Sequence, residues 1–130
     1  MIIAFGVVWV YIYTQMKIEP KGIIANRLRL QKRRRLTGLE IPPDGLPGSL
    51  ALTHRRCGKP TCHCAGGEGH PVWSLTFMVH GKKRVERVPD EWIESVRERV
   101  EAGREFKEAV AEIFAANAQL LALWRKERVR

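Results

Sequence analysis

The chain has 130 residues, of which 45% are hydrophobic and 28% charged, and it carries a net charge of +9 at pH 7. That hydrophobic share argues against a disordered chain, and the length allows one small core. The positive excess points to an anionic partner, nucleic acid before a membrane surface, and an odd count of three cysteines argues against a disulfide framework.

The charge is uneven along the chain. Lys17 to Val88 holds 15 Lys/Arg against 5 Asp/Glu, whereas Pro89 to Arg130 holds 8 against 9. The first part therefore reads as a binding half and the second as a scaffold.

Residues 1–21 form an apolar extension. Ile2 to Tyr13 is an unbroken apolar run of 12 residues, short of the roughly 20 that span a bilayer. No cation precedes it and no small-residue cleavage site follows it, which is unlike a secretory signal. Its β-branched and aromatic side chains favour an extended strand. Three readings stay open: a buried strand, a short anchor with Lys17 and Lys21 at an interface, or a start site placed upstream of a true first residue at Met16.

Residues 22–45 are expected to form a basic helix and a loop. Good helix formers run from Gly22 to Leu36, with Ile24, Leu28 and Gln31 on one face. Gly38 can cap the helix end, and Pro42, Pro43, Asp44, Gly45, Pro47 and Gly48 mark the loop that follows. Arg27, Arg29, Lys32, Arg33, Arg34 and Arg35 form a basic cluster uninterrupted by an acid. Neutralising phosphates with such a cluster gives salt-dependent and largely sequence-independent affinity.

Residues 46–89 hold the densest chemistry. Cys57, Cys62, Cys64 and His70 fall within fourteen residues, among glycines that allow tight turns. Three thiolates and an imidazole are a common closed tetrahedral set for structural zinc, and their binding couples to folding. His63 sits between two ligands and is a poorer fourth donor; His54 and His80 are reserves. The alternatives are inert buried thiols, or a reactive Cys62 or Cys64 activated by nearby Arg55, Arg56 and Lys59. Val72 to Val79 then alternates Trp73, Leu75, Phe77 and Val79 with Val72, Ser74, Thr76 and Met78. His80-Gly81 supplies a turn, and Lys82 to Val88 a return strand. Lys82, Lys83, Arg84 and Arg87, with Arg55 and Arg56, extend the basic footprint. Trp73 and Phe77 alternate as core side chains rather than as a stacking platform.

Residues 90–130 read as one long helix from Asp90 to about Arg128, with Gly103 as the point of a kink or break. Phe106, Val110, Ile113, Asn117, Leu120 and Trp124 recur at steps of three and four, the spacing of paired helices. Asn117 falls where a buried Asn sets register in a parallel dimer. The same stripe can instead pack on the chain's own helix and hairpin, and both readings stand.

The residues do not compose a catalytic set. A closed Cys3His site leaves no open metal position, the carboxylates of the last helix have solvated i,i+3 and i,i+4 spacings, and Gly66 to Gly69 lacks the ending of a phosphate loop.

Several of these segments carry a resemblance. Gly48-Ser49-Leu50, Arg56-Cys57-Gly58-Lys59, Cys62-His63-Cys64 and Gly69-His70-Pro71, followed by Gly81-Lys82, Val88-Pro89 and Asn117, resemble a family of small uncharacterised prokaryotic proteins. These are often encoded near transposases. The resemblance spans about residues 46–124. It departs where that family has His-Gly-Pro and this chain has His70-Pro71, and in a thinner aromatic strand, here Trp73 and Phe77. It implies no activity, and its genomic company implies work on the DNA of mobile elements.

The expectation is thus an α+β protein: an N-terminal basic helix, a zinc knuckle, a two-stranded β-hairpin and a long C-terminal helix able to form a coiled coil. Its expected work is nucleic-acid binding, DNA favoured, in the cytoplasm and away from membranes. The alternatives are a dimerising adaptor with structural zinc, a homodimer serving a recombinase, and, more weakly, a thiol enzyme.

Overall fold

The computed structural model describes residues 17–129; the run Ile2 to Tyr13, with its strand, anchor and start-site readings, lies outside the described residues. The elements are α1 (Ile23–Thr37), β1 (Ser49–Arg55), β2 (His70–Val79), β3 (Lys82–Val88) and α2 (Ile93–Val129), with short 3-10 turns at His63–Gly66 and Asp90–Trp92. The class is α+β, as expected, with one strand more than the expected hairpin. β1 pairs antiparallel with β2, Leu50 opposite Leu75, and the sheet order is β1-β2-β3. The β2–β3 hairpin turns on His80 and Gly81, both with positive φ (50° and 77°). That pairing of signs twists a two-residue turn to match its strands. Among the described residues no helix is long and apolar enough to cross a membrane.

The chain divides into two compact units, one of residues 40–108 and one that joins the segment up to Leu39 with the segment from Ala109 onward. In the first, alternation along the strands puts Trp73, Leu75 and Phe77 on one face with Leu50 and Val88. The buried centre is Leu75, Val88 and Val100, ringed by Leu46, Leu50, Trp73, Phe77, Ile93 and Val96. The first turns of α2 therefore cover this face of the sheet, and Trp73 and Phe77 serve its core.

Gly103 does not break α2, which is one helix from Ile93 to Val129. Its role is close approach. The Leu46 amide donates to the Arg99 carbonyl at 3.0 Å, and a Cβ on Gly103 would lie 2.5 Å from the Leu46 carbonyl oxygen. The loop backbone thus crosses α2 where no side chain stands in the way.

In the second unit α1 runs antiparallel to the last turns of α2. The Lys21 amide donates to Glu127 Oε1 at 2.7 Å, Lys32 Nζ to Asn117 Oδ1 at 3.0 Å, and Arg35 makes a two-pronged pair with Glu112 at 2.5 and 2.7 Å. Ala25, Leu28 and Leu120 are buried together, with Leu123 against them. The inner face of α1 is thus not the expected row of Ile24, Leu28 and Gln31. Ile24 is 62% exposed, Gln31 is exposed, and the row runs Ala25, Leu28, Lys32, Arg35, with Ala25 small enough to bring the helices together. On α2 the expected stripe shifts likewise. Ile113, Ala116 and Leu120 are buried, while Phe106, Val110 and Trp124 are half-buried. Asn117 is exposed and takes the ammonium of Lys32. Within the chain the inner position belongs to small Ala116.

Replacing a mid-helix glycine by alanine normally stabilises a helix by about 1 kcal/mol. Gly103→Ala is expected to do the reverse, with a net loss of about 1–2 kcal/mol by overpacking on the Leu46 carbonyl. Urea unfolding of the two proteins reads the sign directly.

Candidate metal centre and basic surfaces

The segment between β1 and β2 folds back on itself in short steps. The Cys62 amide donates to the Lys59 carbonyl, and those of Ala65 and Gly67 donate to the carbonyls of Cys62 and Cys64. These turns carry Cys57, Cys62 and Cys64 toward one point, and β2 delivers His70 as its first residue. The close approach of the two strands there needs a residue without a side chain. Gly69 has φ 94°, and a Cβ on it would lie 2.4 Å from the carbonyl carbon of Arg55. His70 is then paired in register with Arg55 across the sheet.

The ligand atoms of Cys57, Cys62, Cys64 and His70 all lie within 4.8 Å of one another. Cys57 Sγ is 3.4 Å from Cys64 Sγ, and Cys62 Sγ is 3.3 Å from His70 Nε2. All three thiols are free. Cys64 is buried, Cys62 and His70 are half-buried, and Cys57 is exposed. The Cys57 amide points at Cys64 Sγ at 3.5 Å, the kind of backbone donor that orients a sulfur ligand. These four residues can hold one metal ion. His63 stands at the edge, with Nδ1 at 4.0 Å from Cys62 Sγ and its ring edge-on to His70 at 5.6 Å. His54 and His80, the other reserves, are not among the converging residues.

The family of the chain follows once this arrangement is set beside known families. Residues 27–98 match the family described as Domain of unknown function (DUF6788). The chain belongs to this family. The DUF6788 match takes in α1 from Arg27, the whole sheet and all four converging residues, and it stops within the first turns of α2. It thus begins earlier and ends earlier than the resemblance noted over residues 46–124. No curated protein and no solved structure matches the chain.

The expected basic residues fall into three groups. On α1, Arg29 donates to Asn26 Oδ1 at 3.0 Å and to the Pro20 carbonyl, while Lys32 and Arg35 tie α1 to α2. These three are structural as well as basic. The side chains of Arg27, Arg33 and Arg34 are exposed and make no hydrogen bond or ion pair among the described residues. On the sheet, the pairing separates Lys82 and Arg84, which share the side of Phe77, from Lys83 and Arg87, which face the other way. Arg55 of β1 joins Lys83 and Arg87 on that open face, and Arg56 just beyond it donates from Nε to the Gly67 carbonyl at 3.1 Å.

The strand β1 was missed by sequence reasoning although its signal is present: Leu50 and Leu52 alternate with Ala51 and Thr53. With it were missed the open-face neighbours Thr53, Val72 and Ser74.

Elemental analysis of the purified full chain is expected to find one tightly held metal ion per molecule. Cys64→Ser should abolish that stoichiometry and lower stability by several kcal/mol, about 3 or more. His63→Ala should retain the ion and His70→Ala should not; the opposite result for the two histidines would reassign the fourth ligand.

Proposed function

We propose that the chain is a small zinc-held module that binds nucleic acid. Support for zinc comes from the donors and their spacing. Metal–sulfur bonds of about 2.3 Å and metal–nitrogen bonds of about 2.0–2.1 Å in a tetrahedron put sulfurs about 3.8 Å apart and sulfur and nitrogen about 3.6 Å apart. The distances of 3.4 and 3.3 Å, within an overall spread of 4.8 Å, bracket those values. A set closed by four protein ligands serves shape rather than reaction.

The open face of the sheet carries the functional reading. By register it presents Ser49, Ala51, Thr53 and Arg55 of β1, alternate residues of β2 from His70 to Met78, and Lys83, Val85 and Arg87 of β3. Three of those side chains are cations and none is a carboxylate; Glu86 lies on the covered side. The three unengaged arginines of α1 form a second basic surface in the other unit. Cations without acidic neighbours are what a phosphate backbone neutralises. Duplex DNA is the first ligand to test, because the resemblance to proteins encoded near transposases points to mobile-element DNA. A cytoplasmic site of action belongs to the same proposal.

Affinity for duplex DNA should fall steeply between 50 and 200 mM salt in a log–log plot, by an amount set by the number of phosphates contacted, about 0.9 per contact. Arg33→Ala with Arg34→Ala should flatten the slope by about 2. Binding indifferent to salt would exclude this mode.

A further inference from the structure

The open face is not flat. Where it meets the metal cluster there is a concavity of about 440 Å3, within the range of small-ligand pockets. Its polar wall is Arg55, Arg56, Arg87 and Ser74, its apolar wall is Val72 and Val85, and Cys57 and His70 close one edge. No carboxylate and no Trp, Tyr or Phe ring lines it.

Two strands contribute a donor at one level, and the third donor lies four residues along the sheet, where Arg55 is opposite His70. Ser74 of β2 is paired with Arg87 of β3 on one side and with Ala51 of β1 on the other, and Arg55 enters from the end of β1. The side chains of Arg55 and Arg87 make no hydrogen bond or ion pair among the described residues, so both planar forks are available. Arg56 uses only Nε, on the Gly67 carbonyl. Three guanidinium groups that face one space without a counter-charge repel each other, and a phosphate group relieves that repulsion while accepting paired hydrogen bonds from each fork. If the cluster holds a divalent ion through three thiolates, its own charge is −1, and the pocket retains a positive excess suited to a phosphate. Trp73 and Phe77 face the core, so neither offers a ring to a base here, and the guanidinium forks make the phosphate the group this pocket suits best.

We propose that this concavity is a binding site for one phosphate group of a nucleic-acid strand, gripped by Arg55 and Arg87 with Arg56 and Ser74 as further donors, and with Val72 and Val85 against the sugar. The strand as the source of the phosphate rests on the nucleic-acid reading above; the phosphate chemistry stands on the pocket alone.

The test uses the full-length, metal-loaded chain labelled with 15N, titrated separately with inorganic phosphate and with a single-stranded oligonucleotide. Both probes are expected to shift the side-chain Nε–H signals of Arg55 and Arg87, with inorganic phosphate leaving those of Arg33 and Arg34 in place. Arg55→Gln with Arg87→Gln should abolish the phosphate response and weaken oligonucleotide binding at least tenfold, at unchanged circular dichroism and metal content. Arg87→Lys keeps the charge but loses the fork, and should recover only part of the affinity. The site is overturned if inorganic phosphate moves neither signal, or if the double variant binds both probes as the parent does. An oligonucleotide that binds with the sheet signals unmoved sinks the site and leaves the nucleic-acid reading to α1. Phosphate bound here with no oligonucleotide binding at all sinks the strand as the occupant and the nucleic-acid reading with it.

Discussion

Nothing apolar holds the segment between β1 and β2. Of the residues from Arg56 to Gly69 only Cys64 is buried, and Cys62 and Gly69 are half-buried. Ordering each residue of backbone costs about 1–2 kcal/mol, and one buried cysteine side chain cannot offset that cost over such a length. The convergence of three sulfurs and one imidazole nitrogen is the interaction that can. Its consequences reach past the loop. His70 is both a converging residue and the first residue of β2, and β2 is the central strand on which both others pair.

The two units treat their positive charge differently, and the difference follows from local packing. On α1, a helix whose mean composition is strongly polar, only Ala25 and Leu28 are buried. The helix compensates by extending its inner row with Lys32 and Arg35, whose heads reach Asn117 and Glu112. With Arg29 held by Asn26 and the Pro20 carbonyl, three of the six cluster residues are engaged, and the side chains of Arg27, Arg33 and Arg34 are what remains for a partner. On the sheet the hydrophobic face is satisfied by Val100, Ile93 and Val96 of α2, so the cations of the opposite face are not needed for that core. Arg55, Lys83 and Arg87 can stand there unpaired because they are exposed to water and have no core to serve.

Much of this was legible in the sequence, for identifiable reasons. The α1 boundaries, the β2–β3 hairpin and the four converging residues came from strong local signals: a run of helix formers, strict alternation around His80-Gly81, and four soft ligands packed among glycines. What escaped depended on partners distant in sequence. β1 is a short edge strand with a weak alternation, and its identity is settled only by pairing with β2. Gly103 looked like a helix weakness because the Leu46 carbonyl that requires it lies far away along the chain. The packing of α2 inside the chain runs through Ala116 and not Asn117, two positions that a three-four spacing does not distinguish. The inner row was decided by which residue let α1 come close, and an alanine does that better than an amide.

The close contact at Gly69 links the metal centre to the open face. A Cβ on this residue would lie within 2.7 Å of the backbone of Arg55 and Arg56, so the end of β1 and the start of β2 meet only because no side chain stands between them. The position of Arg55 is therefore set by the same pairing that sets His70. Arg56 is anchored in turn on the Gly67 carbonyl, within the folded loop. Two of the three arginines that face the concavity thus take their places from the loop that the cluster gathers, and only Arg87 takes its place from the hairpin. Guanidinium forks bind a phosphate well when their geometry is fixed before the ligand arrives. A metal ion held by the four converging residues would supply that fixity for Arg55 and Arg56 by gathering the loop that places them.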